Sequence, residues 1–303
     1  MKTTRLIVNA DDLGMSRGIT DGILIAHKHG FLASASLMAN MPAAEYAIER
    51  LSTAPRLGIG AHLNICQGRP LLPACEVRTL VDSSGFFHAP GEMARRLWRW
   101  QVSGRELVWE FREQIRWLKH RGIQLTHADS HHHMHIYPAA VLPFARALAS
   151  EGIHRARASR CCDWRENPAL GGPHRGGVVR RLLVQSYRHF LQSIVLRGIA
   201  SPDRRVIFIS RGSGNSAHLG DAWKASLECL PQGTFEMVCH PGLPEAGFSE
   251  TDRIREQRQA ELRWLMDRDL RGIIERSGIR LITYDALSEE RAQRSLMAEP
   301  AAP

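Results

Sequence analysis

Ten residues near the middle of the chain, Thr126-His127-Ala128-Asp129-Ser130-His131-His132-His133-Met134-His135, carry five of its fifteen histidines and one carboxylate. In an extended strand every second side chain points the same way, so His127, Asp129, His131 and His133 are expected to share one face. Imidazoles and a carboxylate on one face are costly to bury unless they pair or bind a metal ion. An expression tag is a poor explanation, because the cluster lies between core-like segments: Ile123 and Leu125 lead in, and Ile136-Tyr137-Pro138 leads out toward a helix. Three further polar signals end apolar runs. Asp11-Asp12 follows Arg5-Leu6-Ile7-Val8-Asn9-Ala10, His62 stands near the end of the run from Arg56 to Asn64, and His240-Pro241-Gly242 follows Thr234-Phe235-Glu236-Met237-Val238-Cys239.

Each signal alone has an ordinary explanation. An aspartate pair can begin a turn, a strand histidine can be a satisfied core residue, and His-Pro-Gly can be a turn and nothing more. Together they supply a specific chemistry. Two neutral imidazoles and one carboxylate make a three-ligand site for a divalent metal, with positions left for water and substrate. Such a metal polarises a carbonyl and lowers the pKa of bound water. Of two adjacent carboxylates, one can bind metal while the other takes the proton from an attacking water. A histidine on the opposite wall can protonate the leaving group. This is metal-assisted hydrolysis. Residue types leave open which aspartate, and which of His131, His132 and His133, takes which part.

The elements that must position these groups follow from the hydropathy pattern. Strand-like runs cover Arg5–Ala10, Phe31–Ala39, Arg56–Asn64, the His-rich stretch, weakly His154–Ser159, then Arg205–Ser210, Thr234–Cys239 and Ile279–Tyr284. Helical patterns lie between them: Ile19 to a stop at Gly30, Met41 to Leu51, Met93 to His120, Ala139 to Glu151, a basic one around Val178 to Leu196, and one from Asp252 carrying Ile254, Leu262, Leu265, Leu270 and Ile273. Seven or eight strands alternating with helices predict an α/β fold whose mostly parallel sheet closes, or nearly closes, into a (β/α) barrel. The polar signals then fall at the C-terminal strand ends, where such barrels place their active sites. On this count His240 ends the seventh strand. With no internal repeat and no long linker, residues 1–288 read as one domain and 289–303 as a disordered tail.

Leu107, Phe111, Ile115 and Leu118 recur at three- and four-residue steps and mark a buried helix face. Trp98, Trp100, Trp109 and Trp117 on the same segment read as core or interface, Trp98 and Trp100 alternatively as lining for a sugar cleft. A homodimer through this tryptophan-rich helix is compatible with the pattern.

Composition narrows the class. Apolar residues make up 44% and charged residues 23%, ordinary values for a globular protein. No apolar run reaches the roughly eighteen residues of a membrane span. The N-terminus enters a strand at once, so no signal peptide and a cytoplasmic location are expected. The six cysteines show no CxxC spacing and read as reduced thiols. Net charge is +9 and pI about 9.7, which can signal nucleic acid. The arginines, however, are spread along helix-like segments rather than gathered with aromatics, and the densest group, Arg175 to Arg188, reads as one solvated helix face. Nucleic acid is not an expected partner.

Four stretches carry a family resemblance: Val8-Asn9-Ala10-Asp11-Asp12-Leu13-Gly14, Gly60-Ala61-His62-Leu63, Thr126 to His135, and Cys239-His240-Pro241-Gly242. They are similar to the signature stretches of the YdjC-like carbohydrate deacetylases, which include chitooligosaccharide deacetylases and hopanoid-pathway relatives. The likeness runs in order from residue 5 to about residue 284, and the first and third stretches are the most specific. It implies an irregular (β/α) barrel that removes acetyl groups from N-acetylated sugars with one bound divalent metal ion. Carried over, it implies Asp12, His62 and His131 as metal ligands, Asp11 as general base and His240 as general acid. Asn9, Asp129 and His133 would orient ligands or substrate. Residues 160 to 233 match no family stretch, and Arg211-Gly212-Ser213-Gly214-Asn215 reads as a flexible loop rather than a sugar pocket.

Two other functions compete. A metal-dependent phosphoesterase would need a second metal set or a Gly-rich phosphate loop, and neither is evident. A non-catalytic metal- or sugar-binding barrel would need neither Asp11 nor His240. The metal is open: a His₂Asp set suits Zn²⁺, and Mg²⁺, Mn²⁺ or Co²⁺ fit when water fills the remaining positions.

Overall fold

The computed structural model describes residues 4–161, 183–184, 186–187, 189–191, 196–207, 216–246, 252 and 254–287. The Arg211–Asn215 loop, the C-terminal tail and most of the basic segment around Val178 to Leu196 lie outside the described residues.

The first apolar run forms β1 (Arg5–Leu13), buried along its whole length. After it come α1 (Arg17–His29), β2 (Ser34–Leu37), α2 (Ala44–Leu51), β3 (Gly58–Leu63), α3 (Pro90–Trp98), α4 (Gly104–His120), β4 (Leu125–Ser130) and α5 (Pro138–Ser150). The chain continues through β5 (Arg204–Ile207), α6 (Ser216–Glu228), β6 (Thr234–Cys239), α7 (Arg255–Leu265), α8 (Arg268–Arg276) and β7 (Arg280–Leu281). The strands pair in parallel in the order β4-β3-β2-β1-β6-β5. β7 shares an edge of β1 with β2: Arg280 N donates to Thr4 O, Ile282 N to Leu6 O and Ala33 N to Val8 O.

The weak strand candidate after α5 joins the two outer strands of this path. Ala128 N of β4 donates to Arg155 O at 3.0 Å, and Arg157 N returns a bond to Ala128 O at 3.1 Å. A few residues on, Arg205 N of β5 donates to Arg160 O at 2.9 Å. The segment touches each neighbour only briefly, which is why it forms isolated bridges rather than a regular strand. It closes the irregular α/β barrel, so His240 follows the sixth regular strand and the seventh barrel position.

Three expectations about elements need correction. The Met93–His120 pattern is two helices: Trp100 adopts φ 56, and Ser103 starts α4 by accepting the Glu106 N–H at its hydroxyl. Trp98 and Trp100 are 64% and 70% exposed, so they are not core residues. The long helix after Asp252 is likewise two, with Asp267 capping α8 through a bond from Asp269 N. The final strand has two residues, because its pairing edge on β1 passes to β2 beyond Leu6.

Alternation along β1 sorts its side chains. Leu6, Val8 and Ala10 join the large apolar layer with Ile19 and Ile23 of α1, while Ile7 packs inside with Ile282, Tyr284 and Leu287. Above that small inner cluster the filling is polar: Asn9, Ser36, His127, Asp129, Arg157 and Glu236 are all buried. The His127 ring stacks on Tyr284 with centroids 3.7 Å apart. Gly60, its register partner on β3, makes room for it, since a Cβ there would lie 2.3 Å from the ring. Burial holds His127 neutral, with its pKa pushed down to about 3.

Candidate active site

Two neighbours on a regular strand face opposite ways, yet Asp11 and Asp12 are both buried at the same site. A register shift between Ala10 and Leu13 supplies the reason, with Asp12 in the left-handed region at φ 68. A bulge of this kind re-aims a side chain. The conformation costs about 1–3 kcal/mol for a residue other than glycine, strain that tends to concentrate at functional sites.

Three atoms then converge from three places in the sheet. Asp12 Oδ1 lies 3.5 Å from His62 Nε2 and 3.0 Å from His131 Nδ1, and the two imidazole nitrogens are 3.3 Å apart. Metal–ligand bonds of about 2.0–2.2 Å separate neighbouring ligand atoms by about 3.0–3.5 Å, so the three atoms fit one ion.

Each of these side chains is also held from behind by its other polar atom. His62 Nδ1 donates to Asp129 Oδ1 at 2.6 Å, which leaves Nε2 as the nitrogen turned to the common point. His131 Nε2 faces Gln67 Oε1 at 3.0 Å, which leaves Nδ1. Asp12 Oδ2 accepts Arg258 Nη2 at 2.8 Å, and Oδ1 is buried without a hydrogen-bond partner. A buried, orphaned carboxylate oxygen beside two oriented imidazole nitrogens is the donor set a divalent cation requires. Burial works against the Asp12 charge, but Arg258 and His131 more than reverse this and hold its carboxyl well below the usual range. Burial also disfavours charge on His62, and Asp129 with Asp11 overcomes it, raising His62 to about 10.

Arg157 organises the remaining carboxylates. It is fully buried and reaches Asp11 with both terminal nitrogens, at 2.8 and 2.5 Å. It also meets Asp129 Oδ2 at 2.7 Å and Glu236 Oε1 at 2.8 Å. Asp11, His62 and Asp129 could by composition hold a second ion, but the guanidinium already supplies positive charge to both aspartates. Asn9 Nδ2 adds bonds to Asp11 Oδ1 at 3.1 Å and to Ser36 Oγ at 3.0 Å. Asp11 Oδ2, which accepts Arg157 Nη1, lies 4.0 Å from His62 Nε2 and 3.9 Å from His240 Nε2. A carboxylate thus stands between the three-atom cluster and an imidazole on the opposite wall.

The family model for YdjC-like proteins matches residues 5–276. The chain belongs to this family. Among relatives of this YdjC-like chain, the carbohydrate deacetylase of Geobacillus stearothermophilus is 33% identical over 281 residues, covering 92% of this chain and 96% of its own. The carbohydrate deacetylase of Thermoanaerobacter pseudethanolicus is 27% identical, covering 93% and 98%. A crystal structure from Enterococcus faecalis, of a candidate cellobiose-phosphate cleavage protein, superposes with TM-score 0.75 at 24% identity over 94% of this chain and 99% of that one. That likeness speaks to the fold.

Against this geometry, the sequence-predicted residues Asp11, Asp12, His62, His131 and His240 of the YdjC-like chain come together. Asp129 and Asn9 stand directly behind them. His133 does not extend the expected row. β4 ends at Ser130, and His131–Ile136 is a 3-10 turn in which His132 and His133 take φ 51 and 55. The period-two face therefore stops at Asp129, and His133 Nδ1 is buried without a hydrogen-bond partner. Sequence reasoning missed Arg157, Arg258, Gln67, Glu236, Glu261 and Ser36. The one available signal was on α7, where Gln257, Arg258 and Glu261 interrupt the buried face that carries Ala260, Leu262 and Leu265. No helix among the described residues is long and apolar enough to cross a membrane.

Proposed function

We propose that this chain is a metal-dependent carbohydrate N-deacetylase, hydrolysing the acetamide of an N-acetylated sugar to the free amine and acetate. The observation that carries this reading is the arrangement around Asp11 Oδ2. It lies 4.0 Å from His62 Nε2 of the three-atom cluster and 3.9 Å from His240 Nε2 across the site. Asp12, His62 and His131 would hold one divalent ion, which would lend Lewis acidity to the acetamide carbonyl and to water. Zn²⁺ suits the O,N,N donor set, and Mg²⁺, Mn²⁺ or Co²⁺ also fit with water completing the shell.

Asp11 acts as general base on the attacking water, kept in place by Arg157 and Asn9. His240 acts as general acid, giving its Nε2 proton to the sugar nitrogen as the C–N bond breaks. Asp129 and Gln67 fix which nitrogen of each imidazole is left for the ion. The names of the full-length relatives support deacetylation of a carbohydrate, and the paired base and acid support hydrolysis over binding alone.

The test is acetate release by Asp11→Asn and His240→Ala. Each is expected to lose about 10²–10⁴-fold in kcat with metal content intact. Near-normal rates in both would remove the assignment.

A further inference from the structure

We propose that Glu261, on α7, is a positioning residue for His240: it anchors that histidine's backbone and places a negative charge behind its ring, so that the proton-bearing Nε2 faces the substrate. The proposal rests on the deacetylase reading above.

Glu261 is fully buried, where a carboxylate costs far more than leucine or glutamine would. Its Oε2 accepts the His240 backbone N–H, and its Oε1 accepts Gln257 Nε2 at 2.6 Å. Both oxygens thus receive donors, the arrangement that favours an ionised carboxylate. Burial prevails and leaves the Glu261 carboxyl raised above its ordinary value, with His240 the foremost group opposing that rise.

The same Oε2 lies 4.0 Å from His240 Nδ1, a buried nitrogen without a hydrogen-bond partner, while Nε2 faces Asp11 Oδ2. The imidazole is therefore placed between two carboxylates, one on the reacting side and one behind. A neutral acceptor could satisfy the backbone N–H equally well. What a carboxylate adds is charge within reach of Nδ1, which favours the imidazolium an acid catalyst must begin from.

The backbone just beyond His240 is pinned as well, so closing the gap to Nδ1 falls to side-chain torsion. Gly242 N donates to Arg258 O at 3.3 Å, and Leu243 N donates to Gly18 O at 2.9 Å. On α1, Gly18 N donates to Glu245 Oε2 at 2.6 Å. The charged groups facing His240 are Asp11 from β1, Glu261 from α7 and His132 from the turn after β4, while Arg258 of α7 acts on Glu261.

The experiment measures acetate release by wild-type, E261Q, H240A and H240A/E261Q proteins. Alongside it runs a ring-¹⁵N NMR titration of the His240 imidazole in Zn²⁺-loaded wild-type and E261Q protein, assigned by the signal missing in H240A. E261Q is expected to lower kcat about 10–100-fold, the usual loss for a carboxylate behind a functional imidazole. KM and zinc content should stay unchanged. Added to H240A it should cost less than about twofold more, because both changes remove one function. The His240 titration curve should differ between wild type and E261Q, and E261D, which keeps the charge, should restore part of the wild-type curve. An E261Q effect that multiplies fully with H240A, or a midpoint that does not move, would overturn the proposal. Absence of acetate release by the zinc-loaded wild type would instead sink the deacetylase reading, and the ring midpoint would still decide the Glu261–His240 coupling.

Discussion

On the wall built by β1, β3 and β4, the side chains of Asp12, His62 and His131 are each fixed at the side-chain atom facing away from the common point, by Arg258, Asp129 and Gln67. On the wall built by β6 and α7, His240 is held through its main chain, while its ring has no close hydrogen bond to either neighbouring carboxylate. The difference matches two kinds of work. An ion needs ligand atoms placed to a few tenths of an ångström. A proton donor has to follow a leaving group, so its anchor belongs in the backbone and its freedom in the side chain. Disturbing the first wall should therefore remove metal, and disturbing the second should slow turnover with metal in place.

The largest effect is expected for His62→Ala. Elemental analysis after dialysis should find the metal lost, and acetate release should drop to the level of chelator-treated wild type. Full metal retention would show that His62 is not a ligand. Next in size is Arg157→Met, which strips the common partner from Asp11, Asp129 and Glu236. Removing one partner of a buried ion network costs about 3–5 kcal/mol, to be read by denaturant unfolding. A loss under about 1 kcal/mol would mean those carboxylates find other compensation.

A smaller, graded effect concerns pH. Asp129 and Asp11 raise His62 to about 10 without a metal, whereas a ligating nitrogen must be deprotonated. The ion thus competes with a proton throughout the range below about pH 10, and affinity rises with pH, about tenfold per unit, until His62 deprotonates unaided. Calorimetric titration in buffers of different ionisation enthalpy should show about one proton released at pH 7. No proton release would contradict the His62–Asp129 pairing as described.

The smallest is on the other wall. A Cβ at Gly22 of α1 would lie 2.6 Å from Gly242 Cα, backbone that cannot easily retreat. Gly22→Ala should shift the His240 loop and lower kcat several-fold with metal content unchanged. Loss of metal in that variant would erase the distinction between the walls.

The first wall was the more legible in sequence, for a physical reason. Parallel strands deliver their C-terminal residues to one rim, so the Asp11-Asp12 pair, His62 and the His131–His133 run could be gathered from hydropathy, while the choice of Asp12 and of His131 came from the family resemblance. The groups behind them could not. Arg157 sits in a segment of isolated bridges and meets Asp11 across 146 residues; Arg258 meets Asp12 across 246. In sequence both look like members of an arginine-rich surface, and only closure of the barrel buries them. His133 failed differently: a period-two reading assumes the strand continues, and the left-handed pair His132 and His133 ends it.

The most direct test of the whole account is acetate release from a panel of N-acetylated sugars, before and after chelation and after a divalent metal is restored. The account predicts release that chelation abolishes and metal restores. Release indifferent to chelator, or none from protein with metal demonstrably bound, would contradict it.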